Sequence, residues 1–163
     1  QRRVQFVLCH GHAGAPGRLD EAQYPMLRLS EDVLVPVAAP DASGAPLHAL
    51  GAGQGPSVLA YSEASGLGRI MRAIQDSEFG KDFASSLPVV FTAHHAVLLR
   101  TLALEGRGLA WLPMSLVADD LRSGALVDAG AGGWRVPVDI RLYRQLAPMT
   151  PVAEALWQLV SSA

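Results

Sequence analysis

Short apolar runs and helical apolar patterns alternate through the middle of the chain. Runs of apolar residues predict strands at 58–61, 88–91 and 109–112. After the first strand, apolar residues from Leu67 to Ile74 recur at positions i, i+3, i+4 and i+7. This spacing predicts an amphipathic helix, and the serines before it supply an N-cap.

Each of the next two strands is followed by a predicted helix. The first runs from about 93 to 105, with Thr92 as its N-cap and Gly106 closing it. The second is short, capped by Ser115 and stopped by Gly124. Strands and helices in strict alternation predict a parallel sheet with crossover helices.

Ligands in parallel α/β sheets bind beyond the carboxyl ends of the strands, near helix N-termini. In this chain those places are residues 61–65, 92–95 and 113–115. The strand predicted at 4–8 ends in the same way, at Cys9 and His10. We therefore expect the functional residues at these four points.

The first third of the chain predicts further strands. Residues 4–8 predict a buried strand, residues 24–29 a second strand, and residues 32–37 a third, which Pro36 places at an edge or a strand end. Residues 40–56 are rich in glycine and proline and predict the boundary between two lobes.

The last third predicts one strand and one helix. Apolar residues alternate with others over 136–143, which predicts a strand whose solvent-exposed face carries Arg141 and Tyr143. Thr150 before Pro151 predicts a helix start. The apolar stripe of that helix comprises Val152, Leu156, Leu159 and Val160.

Composition narrows the class of protein. The 163 residues are 50% hydrophobic and 17% charged, which indicates a folded chain. The net charge of -2 argues against nucleic-acid binding by this segment. No apolar stretch is long enough to span a membrane. A single cysteine excludes internal disulfides and favours a reducing, cytoplasmic compartment. Nucleophile-elbow, zinc-protease and P-loop motifs are absent, so we expect neither an enzyme nor a cofactor.

Four segments in order resemble the effector-binding domain of LysR-type transcriptional regulators: VLAYSEASGLGRIMRAI, VVFTAHHAVLLRTLALEGRGLAWLP, LRSGALV and IRLYR. The earlier VQFVLCHGH and LSEDVLVPVAAP also fit the pattern of that family. The resemblance implies an α/β, periplasmic-binding-protein type II-like fold with two lobes around a cleft. Residues 1–56 plus 134–163 would form lobe I and 57–133 lobe II. We expect lobe I to be incomplete at its N-terminus, without its first βαβα portion.

The resemblance also implies a function. A small-molecule effector or an oxidant would act in the cleft, and a DNA-binding domain absent from this chain would transmit the change. Such regulators form homodimers or homotetramers. A stand-alone solute-binding protein of the same fold is the alternative. More narrowly, the hypochlorite-responsive branch is resembled by four segments: CHGH, AYSEASGLG, LAWLP and PVDIRLYR. This resemblance implies that oxidant is sensed through methionine, and the candidates are Met26, Met71, Met114 and Met149. The helical stripe favours Met71 as a core residue.

The candidate effector-binding residues follow from the strand ends. They are Cys9, His10, Tyr61, Ser62, Ser65, Thr92, His94, His95 and Met114. Serines at a helix N-terminus suit an anion, but simple capping explains them as well. A thiol beside histidines is typical of an oxidisable group or, with His12 and one histidine across the cleft, of a metal site. A buried, inert cysteine is the commoner case, so we expect no metal.

Overall fold

The computed structural model describes residues 5–15, 19, 22–51, 55–80 and 87–163. The elements in chain order are β1 (Phe6–Gly11), β2 (Met26–Ala38), β3 (Val58–Tyr61), α1 (Gly66–Phe79), β4 (Val89–Ala93), α2 (Ala96–Leu104), β5 (Ala110–Pro113), α3 (Met114–Ser123), β6 (Val127–Asp128), β7 (Val136–Arg144) and α4 (Pro151–Ser161). The predicted α/β class is confirmed. Within these ranges, no helix combines the length and the apolar character that crossing a membrane requires.

The larger sheet is antiparallel and has the strand order β1-β7-β2-β5, with β6 also pairing with β2. At its centre, β2 is one long strand, not the two strands predicted at 24–29 and 32–37. Its register against β7 shifts between Arg28 and Ser30, and this irregularity lies where the apolar pattern is interrupted.

Pro36 lies inside β2 and is buried, so its predicted place at an edge or a strand end is wrong. The Pro36 carbonyl accepts from Ala129 N at 2.9 Å, and its nitrogen points to the same side of the strand. On that side the pairing with β7 ends at Leu34 and the pairing with β6 begins at Val37. The proline therefore falls in a gap where no backbone donor is needed.

The parallel part of the fold is built on β3. It pairs with β4 in parallel, with Tyr61 opposite Ala93. On its other side, Leu59 N donates to Leu109 O and Leu109 N donates to Ser57 O, both at 2.8 Å, next to β5. The predicted parallel strands with crossover helices are confirmed. Because β5 also pairs with β2, this strand joins the parallel and antiparallel parts.

Three helix ends follow their predicted signals. The Ser65 hydroxyl accepts from Gly68 N at 3.2 Å at the start of α1. The Thr150 hydroxyl accepts from Ala153 N at 3.3 Å at the start of α4. Gly124 ends α3 with φ 83°, a left-handed conformation that glycine adopts without strain.

Two predicted N-caps are wrong. Thr92 stays in β4, because that strand continues to Ala93, and His95 becomes the N-cap of α2. Ser115 lies within the first turn of α3, whose N-cap is Pro113. The Ser115 hydroxyl instead donates to the Asp32 carboxylate of β2, a contact between distant parts of the chain that local pattern does not encode.

The apolar core lies between β2, β3 and β5 and the helices α1, α2 and α3. Its fully buried side chains include Leu34, Val35, Val37, Leu59, Ile74, Leu99, Leu109, Leu112, Val117 and Leu126. The interpretation of Met71 as a core residue is confirmed, since it is buried in this cluster, and Trp111 is buried there as well.

Burial of the outer strands differs from the sequence-based expectation. The predicted buried strand at 4–8 is wrong for the residues described, because Leu8 is 63% exposed on β1, which stands at one end of the sheet order. The prediction of a solvent-exposed face on β7 is wrong as well. Arg141 and Tyr143 are buried, and β7 is an interior strand between β1 and β2.

The closing helix α4 contacts the sheet by a different face from the predicted one. Ala153 is its buried residue, and the Trp157 ring stacks on Phe6 of β1 with the ring centroids 6.3 Å apart. The predicted apolar stripe points away, and its exposed members are Val152, Leu156 and Leu159.

Candidate functional site

A cavity of about 420 Å³ lies between β1, β7 and the first turns of α1. Its walls also include residues of the loop after β1 and the turn after β4. The lining residues are Val7, Leu8, Cys9, His10, Gly11, His12, Ala15, Leu19, Ala64, Gly66, Arg69, Ile70, His94, Arg141 and Tyr143. Two strand ends and a helix start therefore meet here, as the rule for ligand sites in α/β proteins predicts.

Arg141 forms the floor on the β7 side. Its Nε donates to Asp139 Oδ1 at 2.5 Å and its Nη2 to Asp139 Oδ2 at 3.2 Å. Asp139 also pairs with Arg28 Nε of β2 at 3.1 Å. Two guanidinium groups thus share one carboxylate, and of the two only Arg141 lines the cavity.

The neighbouring strand is shaped to hold that arginine. In the β1–β7 register, Cys9 lies opposite Arg141 and Gly11 opposite Asp139. A Cβ atom at Gly11 would overlap the Arg141 guanidinium, so the side chain crosses the glycine in direct contact with its backbone. Glycine at this position lets the guanidinium reach Asp139.

The α1 side of the cavity is fixed by backbone contacts. Ser62 N donates to Ala93 O at 2.9 Å, and Ser65 N donates to Ser62 O at 3.0 Å. The Ser65 hydroxyl is engaged in the helix cap. Gly66 and Arg69 follow one turn apart on the face of α1 that lines the cavity.

Burial and the two arginines set the charge state of the other groups. Burial raises the pKa of the Cys9 thiol, and the positive charges of Arg141 and Arg69 oppose that rise. Burial lowers the pKa of His10, against the effect of Asp32 and Asp139. Hydrogen bonding to Asp139 raises the pKa of Arg141. Near neutral pH the thiol is therefore protonated and uncharged, and Arg69 and Arg141 carry positive charge.

Three of the nine predicted site residues line the cavity: Cys9, His10 and His94. His95 lies outside the lining. It occupies the N-cap position of α2 without a side-chain cap hydrogen bond, and its ring lies edge-on to that of His94 at a centroid distance of 4.5 Å. The hydroxyl of Thr92 sits on an exposed part of β4. Their role in effector binding stays a prediction.

The other four predicted residues are engaged elsewhere. The Tyr61 hydroxyl donates to Trp111 O at 2.6 Å in the core, and burial raises its pKa. Met114 packs against the core from the start of α3. Ser62 and Ser65 hold the turn between β3 and α1, behind the Ala64 and Gly66 positions that line the cavity.

Sequence reasoning missed the two arginines of the lining. Arg69 lies one turn after the Ser65 cap, and helical side chains lean toward the helix N-terminus. This spacing is a sequence signal that places Arg69 near the predicted ligand site. Arg141 depends on where β7 lies in the sheet, and no local signal gives that. For the metal alternative, the described residues contain no group of three His, Cys, Asp or Glu placed to hold an ion.

A model of the LysR substrate binding domain matches residues 1–163 of the chain. The HTH-type transcriptional regulator YjiE of Escherichia coli (strain K12) is 33% identical over 138 residues, covering 85% of this chain and 44% of that protein. The HTH domain-truncated transcriptional regulator QseD of Escherichia coli O157:H7 is equally similar and is covered to 55%. The chain thus spans about half the length of the curated relatives it matches.

Solved structures show a similar fold. The regulatory domain of HypT from Salmonella typhimurium superposes with a TM-score of 0.78 at 25% identity, covering 97% of this chain and 71% of that one. Full-length HypT, described as a hypochlorite-specific LysR-type transcriptional regulator, gives a TM-score of 0.77 at 26% identity, covering 94% and 50%.

Proposed function

The chain belongs to the LysR substrate-binding domain family, and we propose that it senses an effector for a LysR-type transcriptional regulator. LysR regulatory domains have the periplasmic-binding-protein type II-like fold, so the predicted fold is confirmed. The observation that carries the site is the cavity of about 420 Å³ between β1, β7 and α1. Its size and its mixed lining suit a small polar molecule.

In the proposed mechanism, lobe I comprises 1–56 plus 134–163 and lobe II comprises 57–133. The cavity takes its walls from both, since β1 and β7 would belong to lobe I and α1 to lobe II. An effector that contacts both walls binds one arrangement of the lobes better than others. It thereby shifts the population toward that arrangement.

The remaining parts of the mechanism are proposals about the whole regulator. DNA would be contacted by a separate domain, and the regulator would act in the cytoplasm as a homodimer or homotetramer. We assign this chain no catalytic step, in line with a family of regulatory domains. Sedimentation velocity of the complete gene product tests the oligomer, and a monomer at micromolar concentration would contradict it.

DNA occupancy in cells tests the proposed function. The complete gene product that contains this chain would be crosslinked to DNA and immunoprecipitated, alongside its Ala64→Trp and Ala73→Trp variants. Ala64 lines the cavity, whereas Ala73 is exposed elsewhere on α1. We expect discrete genomic sites, with transcription beside them altered by Ala64→Trp and unchanged by Ala73→Trp. No enriched DNA would favour the alternative, a solute-binding protein of the same fold.

Oxidant sensing is a second candidate, supported by the likeness to a protein described as hypochlorite-specific. Met26, Met114 and Met149 are partly buried, and Met71 is in the core. Sulfoxide formation at a partly buried methionine adds a polar group and repacks its surroundings. Hypochlorite titration followed by mass mapping tests this. Unmodified methionines at doses that change DNA occupancy would remove the candidate.

A further inference from the structure

The charges around the cavity are unbalanced in a way that points to the class of its ligand. Arg69 and Arg141 line it together with His10, His12 and His94, and among the described lining residues there is no Asp or Glu. Asp139, the carboxylate that binds Arg141, is shared with Arg28, and Asp32 acts on His10 from outside the lining. The cavity therefore carries positive charge without a compensating carboxylate in its described walls.

The two arginines are held in different ways. Arg141 is 8% exposed and is fixed by the two-pronged contact with Asp139 and by its close passage over Gly11. Arg69 is exposed on α1, and no carboxylate of the described residues lies within ion-pair distance of it. One guanidinium is thus prepositioned by the strands, and the other is available to close on a ligand from the helix.

We propose that this cavity selects organic anions, with the anionic group placed between Arg69 and Arg141 beside Cys9. Guanidinium groups bind carboxylates through parallel charge-assisted hydrogen bonds, and partial burial strengthens these. Gly11 and Asp139 are positioning residues, because they act on the ligand only through Arg141. The proposal rests on the proposed function in that it takes the same cavity as the effector site.

The single cysteine provides a local probe of this charge. Cys9 lines the cavity, and the chain has one cysteine, so thiol reagents report on that position alone. The reaction rates of anionic sulfonatoethyl and cationic trimethylammonioethyl methanethiosulfonate with Cys9 are measured in folded and urea-unfolded protein. Their ratio cancels the thiolate fraction, since both reagents attack the same thiolate.

We expect the anionic-to-cationic rate ratio to be about tenfold higher in the folded protein. Arg141→Gln and Arg69→Gln should each lower it by about five- to tenfold. Arg72→Gln is the matched control, because Arg72 is on the same helix but lies outside this cavity and donates to Glu63 O. If Arg141→Gln does not fold, Arg69→Gln carries the test alone. A ratio equal in folded and unfolded protein, or unchanged in Arg69→Gln, would overturn the proposal.

A second measurement uses benzoate and its neutral isostere benzamide as probes. Each is tested for slowing the labelling of Cys9 by uncharged methyl methanethiosulfonate. We expect protection by benzoate alone, and loss of that protection in Gly11→Ala, which displaces Arg141 without removing its charge. Equal protection by both, or protection by neither, would overturn anion selection. The proposed function would then still be decided by DNA occupancy, which does not depend on the charge of the ligand.

Discussion

Two parts of the molecule are stabilised by different contacts. Around β2, β3 and β5, leucine and valine side chains are completely buried between strands and helices. Val136 and Val138, at the start of β7, belong to that core as well. Around β1, α4 and the rest of β7, the described contacts include ion pairs and ring stacking. Arg144 Nη2 lies 2.8 Å from Glu154 Oε1, and its Cζ lies 5.4 Å from the centre of the Trp157 ring. We call these the apolar part and the polar part.

The two parts are expected to differ in stability, and the cavity lies where they meet. Burial of apolar surface contributes most of the favourable free energy of folding, so the apolar part is the stable unit. Its ion pairs are largely buried. The cost of desolvating two charges offsets most of their attraction, so they add little net stability, and the polar part is expected to open at lower free energy. The cavity takes one wall from each part, so a ligand bound there would also contact the less stable one.

Among the substitutions that test this contrast, Leu112→Ala has the largest expected effect on stability. Leu112 is fully buried in β5, where removing three carbon atoms leaves a cavity, so we expect a loss of about 2–5 kcal/mol in the free energy of unfolding. Urea unfolding followed by circular dichroism measures it. A loss below about 1 kcal/mol would mean that the apolar part is not the stable unit.

Local signals in the sequence predict most elements of both parts. The caps at Ser65 and Thr150 and the stop at Gly124 are fixed by neighbouring residues, and so could be found without the structure. Burial on β1 and β7 could not, because it depends on the order of strands that are far apart in sequence. That is why Arg141 was expected in solvent.

The candidate site divides along the same line. The rule that ligands bind at strand ends led to Cys9, His10 and His94, which do share the cavity. The rule cannot tell which residue of a turn faces inward, so it also selected Tyr61, which is bonded to Trp111 in the core. Arg141 enters the site through its register against Cys9, a pairing of residues 132 positions apart by number.

Trp157→Ala tests the polar part. Its ring contacts Phe6 and the Arg144 guanidinium, and it is half-buried, so we expect a loss of about 1–2 kcal/mol. Trp157→Phe keeps a ring and should recover part of that loss. A cost as large as that of Leu112→Ala would erase the difference between the two parts.

The Arg144–Glu154 pair adds a dependence on pH to the polar part. Hydrogen bonding to Arg144 lowers the pKa of Glu154. A carboxyl whose pKa is lower in the folded state stabilises the fold at pH values above its pKa in the unfolded state, which is about 4.3. This contribution is lost as the pH falls through the folded-state pKa. We expect Glu154→Gln to lose less stability than the unmodified chain between about pH 5 and about pH 3. Identical urea midpoints against pH in both proteins would contradict this assignment.

Leu159→Ser has the smallest expected effect. Leu159 is 70% exposed on α4, so its replacement removes little buried surface, and we expect the free energy of unfolding to change by no more than about 0.5 kcal/mol. Leu99→Ser, in the fully buried face of α2, is the matched comparison and should be strongly destabilising, since it places a hydroxyl in the core. A loss above about 1 kcal/mol for Leu159→Ser would show that this face of α4 is covered in solution. The polar part would then also be stabilised by apolar burial, and the difference between the two parts would be smaller.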